Sequence, residues 1–282
     1  VGYSALMGIR VLLSVVTAPA WSRASGTVDG PPDDPATFGT FLSALATRYA
    51  GKVHAYEVWN EQNFSREWGG GRIIAGDYVE LLKVAHAAIK AADPAAAVLS
   101  GALTPTGFND PNVAIDDVLY LQQLYAYQGG VFKTVCDGIG AHAGGFNNPP
   151  DDTPFNRTVF STNFKGHKSF YFKRLEDVRA VMVANGDDAK QIWVTEFGWS
   201  TANQALGYDY GNDISDADQG RYLVRAYQIG RDWGWVQGMF VWNLNFQQLV
   251  PASDEKYPFG IVRPDGTPRP AYIQLKFMAK RP

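Results

Sequence analysis

The chain has 282 residues, 46% of them hydrophobic and 19% charged, with a formal net charge of −3. That composition supports a sizeable core and excludes a disordered chain, and the mild acidity excludes the electrostatic footprint of a nucleic-acid or anionic-membrane binder. No apolar run approaches the roughly 20 residues of a membrane span, and Cys136, the single cysteine, excludes an intrachain disulfide.

In chain order the pattern is strand, then helix, repeated. Residues 9–16 (IRVLLSVV) form a continuous β-branched run, as expected for a strand buried on both faces. Residues 35–50 follow as a helix with an apolar stripe at Phe38, Phe41, Leu42, Leu45 and Tyr49. The second strand spans 53–60 and its helix 76–92, ending before Asp93-Pro94. A third strand over 96–103 leads to a helix over 116–127, and a fourth over 137–142 to a helix over 169–184. A fifth strand over 191–195 leads to a helix over 216–230, and a sixth over 236–243 to a closing helix over 270–279. Six alternating βα units predict a parallel sheet with helices outside it.

Two folds share that pattern. A doubly wound sheet carries a Gly-rich loop after its first strand, whereas Thr17-Ala18-Pro19-Ala20-Trp21-Ser22-Arg23 cannot cradle a phosphate. A (β/α)8 TIM barrel gathers function at the C-terminal ends of its strands. Here those ends are polar or aromatic: Trp21, Asn60 and Glu61, Thr104, His142, Glu196, and Trp242 with Asn243. The expected fold is one TIM-barrel domain over residues 1–282, with six of eight βα units present. Residues ahead of Gly8 read as the end of a helix and the chain begins with Val, so the first two strands are the ones expected to be missing. The strands from Ile9 and Val236 are then expected to be the unpaired edges of an open sheet, and the isolated chain poorly soluble or inactive. The long connections 143–168 and 201–213 fall where a barrel's substrate loops lie, and the first, with Phe146, Asn147, Asn148, Phe155 and Asn156, is expected to select the substrate.

Two glutamates stand out. Glu61 lies in His54-Ala55-Tyr56-Glu57-Val58-Trp59-Asn60-Glu61-Gln62-Asn63, and Glu196 in Gln191-Ile192-Trp193-Val194-Thr195-Glu196-Phe197-Gly198-Trp199-Ser200. Each closes an apolar strand-like run, a poor place for burial and a good one for chemistry. Alone, the first could be a helix cap and the second a surface carboxylate beside a turn. Together they form the carboxylate pair that glycosidic-bond hydrolysis needs. The chain also carries 8 Trp, 14 Tyr and 16 Phe, and several (Trp59, Phe64, Trp68, Trp193, Phe197, Trp199, Trp242) are expected beside the candidate site. Aromatic faces stack on sugar rings, although core packing claims some of them.

Other candidates are weaker. Glu57 shares the strand face of Glu61 but lies deeper. His54, His86 and His167 lack metal-ligand spacing, so neither metal nor other cofactor is expected. Asp209, Asp213, Asp216 and Asp218 read as a solvated loop and helix cap rather than a calcium site. Asn63-Phe64-Ser65 and Asn156-Arg157-Thr158 match the glycosylation sequon. A Schiff-base lyase or aldolase is disfavoured because no strand end offers a Lys.

The two glutamate motifs resemble those of the (β/α)8 retaining glycoside hydrolases of the 4/7 superfamily (clan A), in particular the bacterial family 39 β-xylosidase-like and family 5 cellulase-like proteins. Ala18-Pro19-Ala20-Trp21, Ser169-Phe170-Tyr171-Phe172 and 264–272 (PDGTPRPAY) share that character. The resemblance implies a carbohydrate partner, with Glu61 as acid/base on the family's fourth strand and Glu196 as nucleophile on its seventh. It implies that Asn60 binds the hydroxyl beside the reacting carbon and that Trp242 lies under the sugar, with Trp21, His142, Trp199 and Asn243 completing the binding set. One departure is the sixth-strand end, Gly140-Ala141-His142-Ala143-Gly144-Gly145, where relatives place a Tyr against the nucleophile. The Arg that relatives supply from an early strand is absent as well. A sugar-binding barrel without activity is the alternative.

Overall fold

The computed structural model describes residues 1–24, 30–156, 164 and 166–280. They fall into two compact units, residues 1–141 with 178–193, and residues 142–177 with 194–282. The second sequon, at 156–158, extends beyond the described residues, as does part of the 143–168 loop.

Eight strands occur among the described residues, two of them short. These are β1 (Leu12–Val15), β2 (Ala55–Asn60), β3 (Ala97–Ala102), β4 (Asn109–Asp110), β5 (Ala114–Ile115), β6 (Ile139–Gly144), β7 (Ile192–Gly198) and β8 (Val236–Val241). The helices are α1 (Gly2–Leu6), α2 (Pro35–Tyr49), α3 (Ala75–Ala92), α4 (Asp117–Ala126), α5 (Arg174–Ala184), α6 (Asp216–Trp233) and α7 (Pro270–Phe277). The six long strands are the six expected from the sequence, and the sheet orders are β1-β2-β3 and β6-β7-β8, without a closed ring of eight. β4 and β5 pair as a small antiparallel hairpin between β3 and α4.

In the first unit, β1 and β2 run parallel from Leu12 opposite Ala55 to Val15 opposite Val58, and β2 pairs with β3 through Glu57 opposite Leu99. Parallel bridges at Leu99–Gly138 and Leu103–Ala141 continue toward β6. That approach is close: a Cβ on Gly140 would lie 2.3 Å from the Ser100 carbonyl oxygen, so only glycine fits. β2 is buried on both faces up to Asn60, as a covered parallel strand should be. α2 starts at Asp34, whose carboxylate accepts from the Ala36 N–H, with Pro35 at the first helical position. It buries Phe38, Leu42 and Ala46, while Phe41, expected on the same stripe, is 54% exposed. α3 covers the sheet with Tyr78, Leu81, Leu82, Ala85 and Ile89.

In the second unit, Ser215 caps α6 by accepting from the Asp218 N–H, and Gly234 ends it in the left-handed conformation at φ 71°. α7 packs on α6 where Gly220 faces Ala271, a contact that leaves no room for a side chain. α5 begins at Arg174 instead of the expected 169. The His167 ring nitrogen accepts from the Ser169 N–H and Asn148 donates to the Phe170 carbonyl, so these residues close a 3-10 turn first.

Candidate active site

Glu61 follows directly on β2, and the chain turns there through an unusual corner. Trp59 has φ 75° and Glu61 φ 49°, both in the left-handed region. For residues with a Cβ that conformation costs about 1–2 kcal/mol each. Neighbouring bonds hold the corner. Glu61 donates its N–H to the Ala102 carbonyl at 2.8 Å, and Ala102 donates its own N–H to Glu57 Oε1 at 3.1 Å. Tyr78 donates to the Val58 carbonyl at 2.9 Å and accepts from the Gly101 N–H at 2.6 Å, while burial pushes its phenol well above the usual range. Gln62 Nε2 donates to the Gly101 carbonyl at 2.9 Å. Asn63 Nδ2 donates to the carbonyls of Thr104 and Ile115, both at 2.8 Å, and its Oδ1 accepts from the Thr104 N–H at 3.0 Å. Asn63 is therefore no glycosylation acceptor, being fully buried with its amide committed to backbone.

Around this corner Asn60 and Glu61 are half-buried and Phe64 lies under the Arg66 guanidinium at 5.1 Å. Trp21, in a 3-10 turn after β1, is 78% exposed. Trp59 and Trp68 do not line the corner. They stack edge-on at 5.5 Å, with Phe38 and Tyr78 beyond them, and the Trp59 indole N–H donates to the Glu67 carbonyl. Trp193 packs against Gly138, whose Cβ would meet its ring at 2.8 Å.

In the second unit, Glu196 is half-buried and lies third from the end of β7, inside the strand rather than just past it as the sequence suggested. The Phe197 carbonyl next to it accepts from the Trp242 N–H at 2.9 Å, and a Cβ on Gly198 would sit 2.4 Å from the Trp242 carbonyl oxygen. The strand end that carries Glu196 is thus locked to Trp242. The Trp242 ring is half-buried against Phe246, with centroids 5.3 Å apart, and the Trp242–Asn243 peptide is cis.

The other expected binding residues are interior. His142 is 6% exposed on β6. Asn243 donates to the Lys256 carbonyl at 2.8 Å and accepts from the Phe246 N–H, so its amide serves the β8–α7 connection. Trp199 has no exposed surface and donates its indole N–H to the Asn148 carbonyl at 2.8 Å. Gly145 presses on its ring and Tyr222 meets it edge-on at 5.6 Å, so Trp199 is a packing residue and not an open stacking face.

The 143–168 loop is internally built. Phe146, Phe164, Phe170 and Tyr210 cluster with ring centroids 4.7–5.3 Å apart. Asn148 spends its amide on the Phe164 and Phe170 carbonyls, and Asn147 donates to Asp213. Among the described residues of this stretch, Phe155, 90% exposed, presents a large apolar face. The acidic segment is engaged too: Asp216 pairs with the buried Arg269 at 2.5 Å, and Asp218 accepts from Ser215 and Arg221. Among the described residues no group of three or more His, Cys, Asp or Glu side chains gathers as a metal site. Burial pushes the Cys136 thiol up to about 12, as expected of a core residue rather than a nucleophile.

Sequence reasoning missed the positions that hold the corner. Gln62 and Asn63 read as polar loop residues, and no local signal distinguishes an exposed amide from one that closes a backbone network.

No family model and no curated protein matches the sequence. Solved structures do match the fold. A family 39 glycoside hydrolase from Bacteroides cellulosilyticus WH2 superposes with a TM-score of 0.66 at 21% identity, over 96% of this chain and 50% of that one. A monomeric β-xylosidase from Caulobacter crescentus CB15 gives 0.62 at 20%, over 96% and 53%. A psychrophilic family 10 endo-β-1,4-xylanase gives 0.58 at 15%, over 99% and 79%. The chain spans about half the length of the first two structures. By fold, then, this chain is similar to the TIM-barrel glycoside hydrolases and carries part of such a barrel, six long strands with their helices.

Proposed function

We propose that this chain is part of the catalytic barrel of a glycosidase that cleaves β-linked oligo- or polysaccharides with retention, and that the two units belong to one domain. Glu196 attacks the anomeric carbon as the bond to the leaving oxygen breaks, and Glu61 gives that oxygen its proton. Glu61 then takes a proton from water, the water oxygen bonds to the anomeric carbon, and Glu196 departs as the carboxylate. Asn60 binds the neighbouring hydroxyl, and Trp21 and Trp242 offer aromatic faces to the sugar. His142, Trp199 and Asn243 support the binding surface from behind.

The observation that carries this reading is the corner at Glu61. A left-handed Trp59 and a left-handed Glu61 within three residues are costly, and such outliers persist where an active site requires them. The fold likeness to a β-xylosidase and an endo-β-1,4-xylanase supports it and makes β-xylosides the first substrates to assay. A second reading is a sugar-binding barrel without activity, which would use the same aromatic faces of Trp21 and Trp242 and differ in turnover alone.

The deciding experiment is hydrolysis of aryl β-xylosides and β-glucosides by the full-length protein, with the product anomer followed by NMR. A β-anomer formed first is expected. An α-anomer first would point to inversion, and oligosaccharide binding without turnover would favour the second reading. Unchanged turnover in Glu196→Gln would remove Glu196 from the mechanism.

A further inference from the structure

We propose that Asn63, with Gln62 behind it, is a positioning residue for Glu61, and that residues 104–115 thereby belong to the catalytic apparatus. The proposal rests on the reading of Glu61 as acid/base. Neither amide can reach a substrate, since both residues have no exposed surface. The Gln62 amide bonds Gly101 on β3, and the Asn63 amide bonds the chain beyond it. Asn63 grips Thr104 and Ile115 with its side chain, and the Ile115 N–H donates to the Asn63 carbonyl at 2.9 Å. Phe64 bridges Ala114, and the Ser65 N–H donates to the Val113 carbonyl at 2.9 Å. Every one of these contacts falls within four residues of Glu61.

Their common effect is on the backbone of Glu61. Its own N–H is anchored to Ala102 upstream of the side chain, and the Asn63 fork anchors the chain downstream. Between the two, φ 49° is fixed. Without the downstream anchor the residue would relax toward negative φ and swing its carboxyl away from the line set by β2. A general acid must lie within hydrogen-bond reach of the leaving oxygen, so such a swing disables proton transfer while leaving the nucleophile alone. Asparagine suits the position because one carboxamide matches one N–H and two carbonyls. Aspartate would set an oxygen against both carbonyls. Gln62 is packed as closely although it makes one bond: a Cβ on Gly101 would come within 2.5 Å of its Oε1.

The test separates proton delivery from general damage by varying the leaving group. An activated dinitrophenolate departs unaided, whereas a poor leaving group needs the acid. In the full-length protein, Asn63→Ala is expected to lose on the order of a hundredfold in kcat/KM on a poor leaving group, and below about tenfold on the dinitrophenyl glycoside. Gln62→Met should show the same skew more weakly and decides the matter if Asn63→Ala fails to fold. Leu82→Ala in α3, a buried apolar residue that makes none of the corner hydrogen bonds, should lower stability without skew. Equal losses on both substrates in Asn63→Ala, with a skew in Glu61→Gln, would overturn the positioning role and leave the acid/base reading intact. No skew in Glu61→Gln would remove that reading instead. A crystal structure of Asn63→Ala then decides the clamp: Glu61 relaxed to negative φ supports it, and Glu61 unchanged overturns it.

Discussion

Glu57 and Ala102 are joined across the β2–β3 ladder by a 3.1 Å hydrogen bond from the Ala102 N–H to the Glu57 carboxyl. The same Ala102 accepts the N–H of Glu61 through its carbonyl. One residue on β3 therefore serves both Glu57, buried on β2, and Glu61 just past it, the one proposed for chemistry. Removing Glu57 would leave a buried N–H unpaired, which costs about 1–3 kcal/mol. Glu57→Ala should lower the urea midpoint accordingly, and Glu57→Gln, which keeps an acceptor, should lower it less. Equal midpoints for all three proteins would show that the pairing carries no stability.

Trp199 and Trp21 should part company under mutation. Trp199 is fully enclosed, so Trp199→Ala is expected to cost about 3–5 kcal/mol. Trp199→Phe should cost about 1–3 kcal/mol by leaving the Asn148 carbonyl unpaired. Trp21 is 78% exposed, and Trp21→Ala should change stability by less than about 0.5 kcal/mol. Its effect should appear in KM, provided the ring stacks on sugar. Denaturation and kinetics on the same variants check both halves, and an unaltered KM in Trp21→Ala would remove that residue from the binding set.

Much of the architecture was legible because the strands are β-branched runs and the helices carry periodic stripes. β2, β3 and β8 fall within their expected ranges for that reason. What was hidden depends on partners distant in sequence. Trp59 stands beside Asn60 and Glu61 in the chain, yet its ring packs with Phe38 and Trp68. Asn63 matches a surface motif while its amide closes a network with Thr104 and Ile115. The start of α5 moved because Asn148, 22 residues before Phe170, occupies the Phe170 carbonyl. Periodicity reports which residues are apolar along one element and carries no record of which carbonyl a distant amide will find.

Arg269 offers a test of the second unit. It is 4% exposed and bonds the Gly260 carbonyl at 2.6 Å, Thr201 at 2.7 Å and Asp216 at 2.5 Å, tying the start of α7 to that of α6 and to the residues just past β7. Deleting the guanidinium leaves the buried Gly260 carbonyl without its donor, which costs about 1–3 kcal/mol, while Asp216, 43% exposed, stays hydrated. Arg269→Ala should show a loss of that order, and Arg269→Lys should recover little because a single ammonium cannot reproduce the fork. Full recovery by lysine would mean that charge alone matters there.

His86 gives the chain a pH dependence whose sign can be worked out. It lies on α3, and burial lowers its pKa, opposed by the nearby Asp137 carboxylate and aided by Lys90. A folded pKa below the unfolded value of about 6.5 means that the unfolded chain binds the extra proton first. Stability from His86 is therefore fully present above about pH 6.5 and declines as pH falls toward the folded pKa. Asp137 and Lys90 pair at 2.6 Å, and Asp137 also accepts from the Val98 N–H, so both keep their partners as His86 titrates. The unfolding midpoint should drop between about pH 7 and 5, and it should drop less in His86→Gln, which removes the titrating ring while keeping a polar side chain. An identical decline in the variant would assign that pH dependence to other groups.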